Sequence, residues 1–368
     1  MPEKENQTVQ KKGNKSVGIV KIAEELGISK TTVGYVLSGQ AKKRRVSDKT
    51  AQEILETAKR LNYIPHLWAK NLARQRTGVV GMVIGGFEYN WAADIYDGIL
   101  PVLEEKGYLP MTSVHMWNPE RNERELRINM GRRDEGIICQ PLPKSLKAYQ
   151  NIRKAGIPLL FICDTLQEMP DANYVAWDCA PAAKIAVRHL IQTGRKRIGF
   201  LGSTLIQTQL VIARCRAYQD TLIEAGLTVD QSFVKWFPSP ALVRYDWTHD
   251  QESQQTTKED AEIKDFLVSF IQKNDLDALF FPHDSLALRI LKVLQKTTIR
   301  VPDDIALMGM GDTPLSGDFG VGLSTIREPL FEIGTAAANA INDLILHPRQ
   351  APIQQLIVGN SLKIRRTT

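Results

Sequence analysis

From Val79 onward, short apolar runs alternate with helix-period segments for some 290 residues, and this alternation constrains the fold more than any other feature. Strands are expected at 79–84, 109–114, 136–139, 159–163, 197–202, 234–237, 278–281 and 305–308. Helices are expected at 92–106, 123–132, 145–155, 180–193, 212–225, 259–272 and 285–295. Strand, helix, strand in sequence dictates parallel sheets wound by right-handed crossovers. About ten strands exceed one comfortable sheet, so two α/β lobes are expected, with ligand bound beyond the strands' carboxyl ends in the cleft between them. Residues 239–258 are polar and irregular and read as a long loop.

Charge separates the first 78 residues from this body. They hold 16 Lys+Arg against 7 Asp+Glu, a net of +9, while the remaining 290 carry 31 against 34, a net of −3. A small basic head on a slightly acidic body points to a polyanionic partner. Residues 1–16 read as a flexible basic arm. Beyond them Ile19, Ile22, Ala23 and Leu26 have helical spacing, and Gly27 stops the run. Ser29 caps a second short helix with Val33, Val36 and Leu37 on one face. Ser47 opens a third, with Ile54, Leu55, Ala58 and Leu61 directed inward. Two short helices joined at a Gly-x-Ser turn and closed by a third form a helix-turn-helix, whose second helix enters a major groove. Any three-helix bundle could share the spacing; the basic excess favours the nucleic-acid reading. The polar face of the second helix offers Lys30, Thr31 and Tyr35, and Lys42-Lys43-Arg44-Arg45 follows it.

Catalytic signatures are missing. There is no phosphate loop, no H-E-x-x-H and no G-x-S-x-G, and Gly309-Met310-Gly311 is a weak dinucleotide fingerprint. His283-Asp284 after a strand could form an acid–base pair, but a ligand hydrogen bond plus a helix cap accounts for it better. The four cysteines lie 24, 16 and 36 residues apart, with no C-x-x-C, as reduced thiols do. No catalytic residue, metal or cofactor is expected. No apolar run approaches the roughly 18 residues of a spanning helix, and the amino terminus has no apolar core of the secretory type, so a cytoplasmic setting without membrane contact is expected.

The residues resemble the LacI/GalR family, the lactose-repressor-type transcription regulators, from about Val17 to Arg366. The marks are Ala23-x-x-x-Gly27-Ile28-Ser29-x-x-Thr32-Val33-x-x-Val36-Leu37, Arg45-Val46-Ser47 and Leu61-Asn62-Tyr63-Ile64-Pro65. Further along stand Gly194-Arg195-Lys196-Arg197-Ile198-Gly199-Phe200, Val301-Pro302-Asp303-Asp304-Ile305 and Leu323-Ser324-Thr325-Ile326-Arg327. Their order and spacing together carry the likeness. It implies a helix-turn-helix head at 17–64, a hinge helix and linker at 65–78, and a two-lobed, periplasmic-binding-protein-like effector and dimerisation domain at 79–368. In that domain the N-lobe would take about 79–178 and 328–350, the C-lobe about 179–327 and 351–368.

The implied function is a homodimeric, sequence-specific repressor of a pseudo-palindromic DNA operator, controlled by a small carbohydrate-like effector. Lys30, Thr31 and Tyr35 would reach base edges, with Thr32 and Arg45 in the same interface and Thr32 nearer phosphate. Gly34-Tyr35 replaces the family's usual Ser-Arg and removes a bidentate guanine contact. Leu72 matches the leucine that wedges between central base pairs, Ala69 the small residue beside it; Trp68 departs from the pattern. The likeness places Trp91, Asp164, Arg214, Trp247, His283 and Asp312 at the effector. Arg214 could clamp hydroxyls or a carboxylate with its fork of donors, and Trp247 could stack on a sugar face. His283 stands where Asn is usual and Gly311 where the first Asp of G-F-D-D is usual, which admits an acidic or unusual ligand beside a hexose. The alternative is a solute-binding receptor without DNA function; an enzyme built on Asp164, Arg214 and His283 ranks last.

Overall fold

The computed structural model describes residues 18–63, 76–87, 91–204, 208–237, 254–317, 320–359 and 361–368, in two units, 1–77 and 78–368. In the first, α1 (Ile19–Leu26) ends where Gly27 adopts a φ of 65°, a left-handed stop that glycine enters without steric cost. Two residues later Ser29 Oγ accepts from the Thr32 N–H at 3.0 Å and opens α2 (Lys30–Leu37). Ser47 caps α3 (Asp48–Arg60) in the same way, accepting from the Thr50 N–H at 3.2 Å. Ile22, Val33 and Ile54, one from each helix, are fully buried against one another. Leu55 differs from expectation: it is 54% exposed, because the turn that buries Ile54 and Ala58 carries the intervening position outward.

In the second unit the alternation of strands and helices yields two parallel sheets. The larger contains β1 (Val79–Ile84), β2 (Leu109–Val114), β3 (Gly136–Cys139), β4 (Leu159–Cys163), β5 (Asn173–Trp177) and, at its edge, β11 (Gln354–Ile357), in the order β11-β5-β4-β3-β1-β2. The smaller has the order β7-β6-β8-β9, from β6 (Ile198–Ser203), β7 (Val234–Phe237), β8 (Ala278–Phe280) and β9 (Ala306–Met308). A short antiparallel pair, β10 (Thr325–Arg327) and β12 (Ser361–Lys363), joins it through the Met308–Ser324 bridge.

The helices are α4 (Trp91–Glu105), α5 (Pro119–Arg132), α6 (Leu146–Lys154), α7 (Ala180–Gln192), α8 (Gln209–Glu224), α9 (Gln254–Asn274), α10 (Asp284–Leu294) and α11 (Leu330–Leu346). They cover both faces of each sheet, so β1 is buried at all six positions. Side chains sort by the period of two: Val80, Met82, Ile138, Leu160 and Ile162 pack with α4 and α11, while Val83, Ile137, Leu159 and Phe161 pack with α5 and α6. In the second lobe Ile198, Phe200 and Phe280 meet α7 and α8, and Leu201, Leu279 and Leu307 meet α9 and α10.

Two boundaries differ from the sequence reading. The chain after 351 does not enter the second lobe at once, because β11 first pairs in parallel with β5; its exposed Gln354, Gln355 and Leu356 give no alternation to read. The expected loop at 239–258 is shorter at its end, where α9 begins at Gln254; residues 238–253 lie outside the described residues.

Helices α4 and α11 cross at two glycines. A Cβ on Gly98 would stand 2.2 Å from the Phe331 carbonyl oxygen, and one on Gly334 2.1 Å from that of Ile95. Backbone cannot yield as a flexible side chain does, so Gly98→Ala should lower stability by about 1–3 kcal/mol. Urea unfolding reads this; an unchanged midpoint would mean the helices separate freely.

Candidate functional site

In the first unit, burying Val33 and Val36 turns the other side of α2 to solvent. Lys30 and Thr31 are exposed and Tyr35 is half-buried. The Thr32 hydroxyl lies 2.8 Å from Ser29 Oγ and is engaged in the cap. Lys42, Lys43, Arg44 and Arg45 are exposed in the turn after α2, where Arg45 has a φ of 58° and donates its N–H to the Lys42 carbonyl at 3.2 Å. Arg44 folds back so that its guanidinium lies 4.9 Å from the Tyr35 ring centroid. The arrangement presents a short helix with a cationic turn beside it. Residues 64–75 lie outside the described residues, so the hinge positions Trp68, Ala69 and Leu72 are not placed, nor is the arm at 1–16.

In the second unit a cleft of about 110 Å³ opens at the strands' carboxyl ends, well above the roughly 10–15 Å³ that one water needs. Gln140 follows β3, Asp164 follows β4, Trp177 closes β5, His283 follows β8, Gly311 follows β9 and Glu328 follows β10. Trp91 and Asp94 enter from the first turn of α4; Thr208 and Arg214 enter from α8 and its cap.

Arg214 is fully buried. Its Nη2 donates to Glu328 Oε1 at 2.8 Å and its Nη1 to the Pro282 carbonyl. Nη1 also lies 3.3 Å from His283 Nδ1, and the guanidinium stacks 5.1 Å from the Trp177 ring centroid. The fork expected to clamp a ligand is largely occupied by the protein. His283 is pushed down to about 3 by burial and by the Arg214 charge, so it is neutral. With Nδ1 facing a donor, the proton belongs on Nε2, which is buried without a hydrogen-bond partner among the described residues.

Asp164 accepts from the Thr165 N–H at 2.8 Å and is held by Thr208 and Leu210; burial pushes its carboxyl up. Asp284 is buried and accepts from the hydroxyls of Thr325 (2.5 Å) and Ser316 (2.7 Å) and from the Thr313 N–H (3.1 Å). Burial still raises it to about 6. Its carboxylate ties the segment after β9 to β10, and a Cβ on Gly309 would meet it at 2.2 Å.

Of the six residues expected at the effector, Trp91, Asp164, Arg214 and His283 line one cleft. Asp312 is placed otherwise: it receives a hydrogen bond from Arg365 Nη2 at 2.6 Å and is not among the lining residues. Its left-handed backbone (φ 54°) after Gly311 turns it toward the chain's end. Trp247 lies outside the described residues. Asp94, Trp117, Gln140, Trp177, Thr208 and Glu328 are lining residues that the sequence reading did not assign, and Asp284, read there with His283 as a helix cap, lines the cleft too.

Residues 19–66 match the model of bacterial regulatory proteins of the lacI family, and residues 187–368 that of a periplasmic binding protein-like domain. Catabolite control protein A of Priestia megaterium is 26% identical over 322 residues, covering 88% of this chain and 90% of that protein. The transcriptional repressor PurR of Haemophilus influenzae is 25% identical over 355 residues, covering 93% and 97%. The chain belongs to the LacI family.

As a LacI-family member it is a ligand-responsive, DNA-binding transcriptional regulator and not an enzyme. The fold is that of the lac repressor dimer solved on its operator with the anti-inducer ONPF, which is 20% identical with a TM-score of 0.77, covering 96% of this chain and 99% of that one. A LacI-family protein from Silicibacter pomeroyi is 25% identical with a TM-score of 0.73, covering 95% and 99%. Among the described residues no helix is long and apolar enough to cross a membrane, and no group of His, Cys, Asp and Glu could hold a metal ion.

Proposed function

We propose that the chain is a cytoplasmic, homodimeric repressor that holds a pseudo-palindromic operator through two copies of the three-helix head, and that a sugar or sugar derivative in the cleft sets its operator affinity. The carrying observation is the two-sidedness of α2: Val33 and Val36 fill the core while Lys30, Thr31 and Tyr35 face outward beside a cationic turn. Lys30, Thr31 and Tyr35 are the base-edge candidates; Arg45, with Thr32 beside the cap, serves the phosphates. Leu72 and Ala69 take the minor-groove role that the family likeness gives them. For the ligand, Trp91, Asp164 and His283 offer an aromatic face, an acceptor and a donor, the set that holds a sugar ring, and Trp247 is assigned by likeness alone. The regulator CelR, of the same fold, was solved as a cellobiose complex.

Selection of bound fragments from random DNA tests the reading. It should return a palindrome, and Tyr35→Ala should weaken that site by about 1–3 kcal/mol, roughly five- to 150-fold. Affinity should fall steeply with salt. No preference over random DNA at physiological salt would overturn the reading.

A further inference from the structure

We propose that the effector carries a positive charge, as an amino sugar or another polyhydroxylated amine does. The inference rests on the cleft being the effector site. Four carboxylates line it, those of Asp94, Asp164, Asp284 and Glu328. Arg214, the lining guanidinium among the described residues, is committed to Glu328 and to the Pro282 carbonyl. Near Asp94 stand the acids Asp97 and Asp312 and the base Arg327, and Asp312 is itself paired with Arg365. His283 is held neutral. Six carboxylates therefore meet three guanidiniums, and the excess is negative.

Asp164 shows what the excess asks for. It accepts hydrogen bonds from Thr165, Thr208 and Leu210, all uncharged donors that position the carboxylate without cancelling its charge. It has no ion pair among the described residues, and burial pushes its carboxyl up. A hydroxyl from a neutral sugar adds more of what is already there, and an acidic ligand adds repulsion. An ammonium offsets the desolvation penalty with an opposite charge. The aromatic lining suits the same charge: Trp91 and Trp117 stand in the cleft, and Trp177 already carries a guanidinium on its face. Hydroxyls on the same ligand would accept from the unpartnered His283 Nε2.

Calorimetry on the full chain at pH 7, where Asp284 is largely ionised and the amine is largely charged, tests this with matched sets sharing one ring: D-glucosamine, D-glucose, D-glucuronate and N-acetyl-D-glucosamine, and the galactose and mannose counterparts. In at least one set the amine should bind thirtyfold or more tightly than the neutral sugar, with no heat from the acid. Acetylating the amine, which removes the charge but keeps the ring, should remove the advantage, and Asp164→Asn should cut it below threefold. The acetyl control needs no altered protein, so misfolding of the variant does not blunt the test. Equal or tighter binding of a neutral, acetylated or acidic member overturns the proposal and leaves the effector cleft standing. Silence from every compound overturns it too, and the effector reading is then decided by whether a metabolite extract changes operator affinity.

Discussion

Arg214→Met is expected to lower the stability of the two-lobed unit by about 3–5 kcal/mol, the cost of breaking a buried ion pair from one side. The guanidinium is fully buried and spans the cleft wall, joining Glu328 after β10, Pro282 after β8 and the Trp177 face at the end of β5. Removing it leaves Glu328 with a desolvated charge and no counterion. Arg214→Lys keeps the charge but loses the planar fork and the stacking, so an intermediate loss is expected. Pairing Arg214→Met with Glu328→Met should recover most of the stability, because two apolar side chains leave no orphaned charge. Urea unfolding of the four proteins separates these outcomes. A loss below about 1 kcal/mol in the single variant would mean that water reaches Glu328.

For the strands, what the sequence shows and what it hides follow from burial. Strands buried on both faces write themselves as unbroken apolar runs, so β1, β3, β4, β6 and β8 were legible to within a residue or two, as was the helix-turn-helix with its glycine stop and serine caps. The edge strand β11, with three exposed residues, and the three-residue β10 and β12 carry no such pattern. Helix α11 escaped for a different reason: Gly334 and alanines at 336–338 and 340 lower its apolar contrast, and they are there because α4 crosses close by. At the cleft, likeness pointed to Asp164 and His283 just after strands and to Trp91 and Arg214 on helices, each in a recognisable sequence context. Trp177 ends β5 and Glu328 follows β10, two strands that carry no readable apolar run, so nothing marks them. Asp312 was misplaced because a residue's position after a strand does not reveal whether its backbone turns inward, and here a left-handed φ turns it to Arg365.

Acid should destabilise the protein through two buried histidines, and replacing either should reveal its share. Burial lowers His115 to about 4; burial and the Arg214 charge lower His283 to about 3. Unfolded, each would titrate near 6.5, so the unfolded chain takes up the proton first as pH falls. A depressed folded value means stability that is complete above about 6.5 and is lost on the way down toward 4 and 3. From pH 8 to pH 5 each histidine should withdraw about 2 kcal/mol. Asp284 works in the opposite sense. Its raised value, about 6, means the folded state takes up a proton before the unfolded one does, returning about 1.4 kcal/mol over the same interval. The net loss between pH 8 and pH 5 from these three groups is then about 3 kcal/mol. Denaturant unfolding of His115→Gln at the two pH values isolates one contribution, since a glutamine does not titrate but can still accept from the Trp117 N–H that now meets Nδ1 at 3.1 Å. The gap between the wild-type protein and this variant should shrink by about 2 kcal/mol at pH 5. An unchanged gap would mean that His115 is protonated in the folded protein, and the enclosure of its ring beside the cleft residue Trp117 would have to be abandoned.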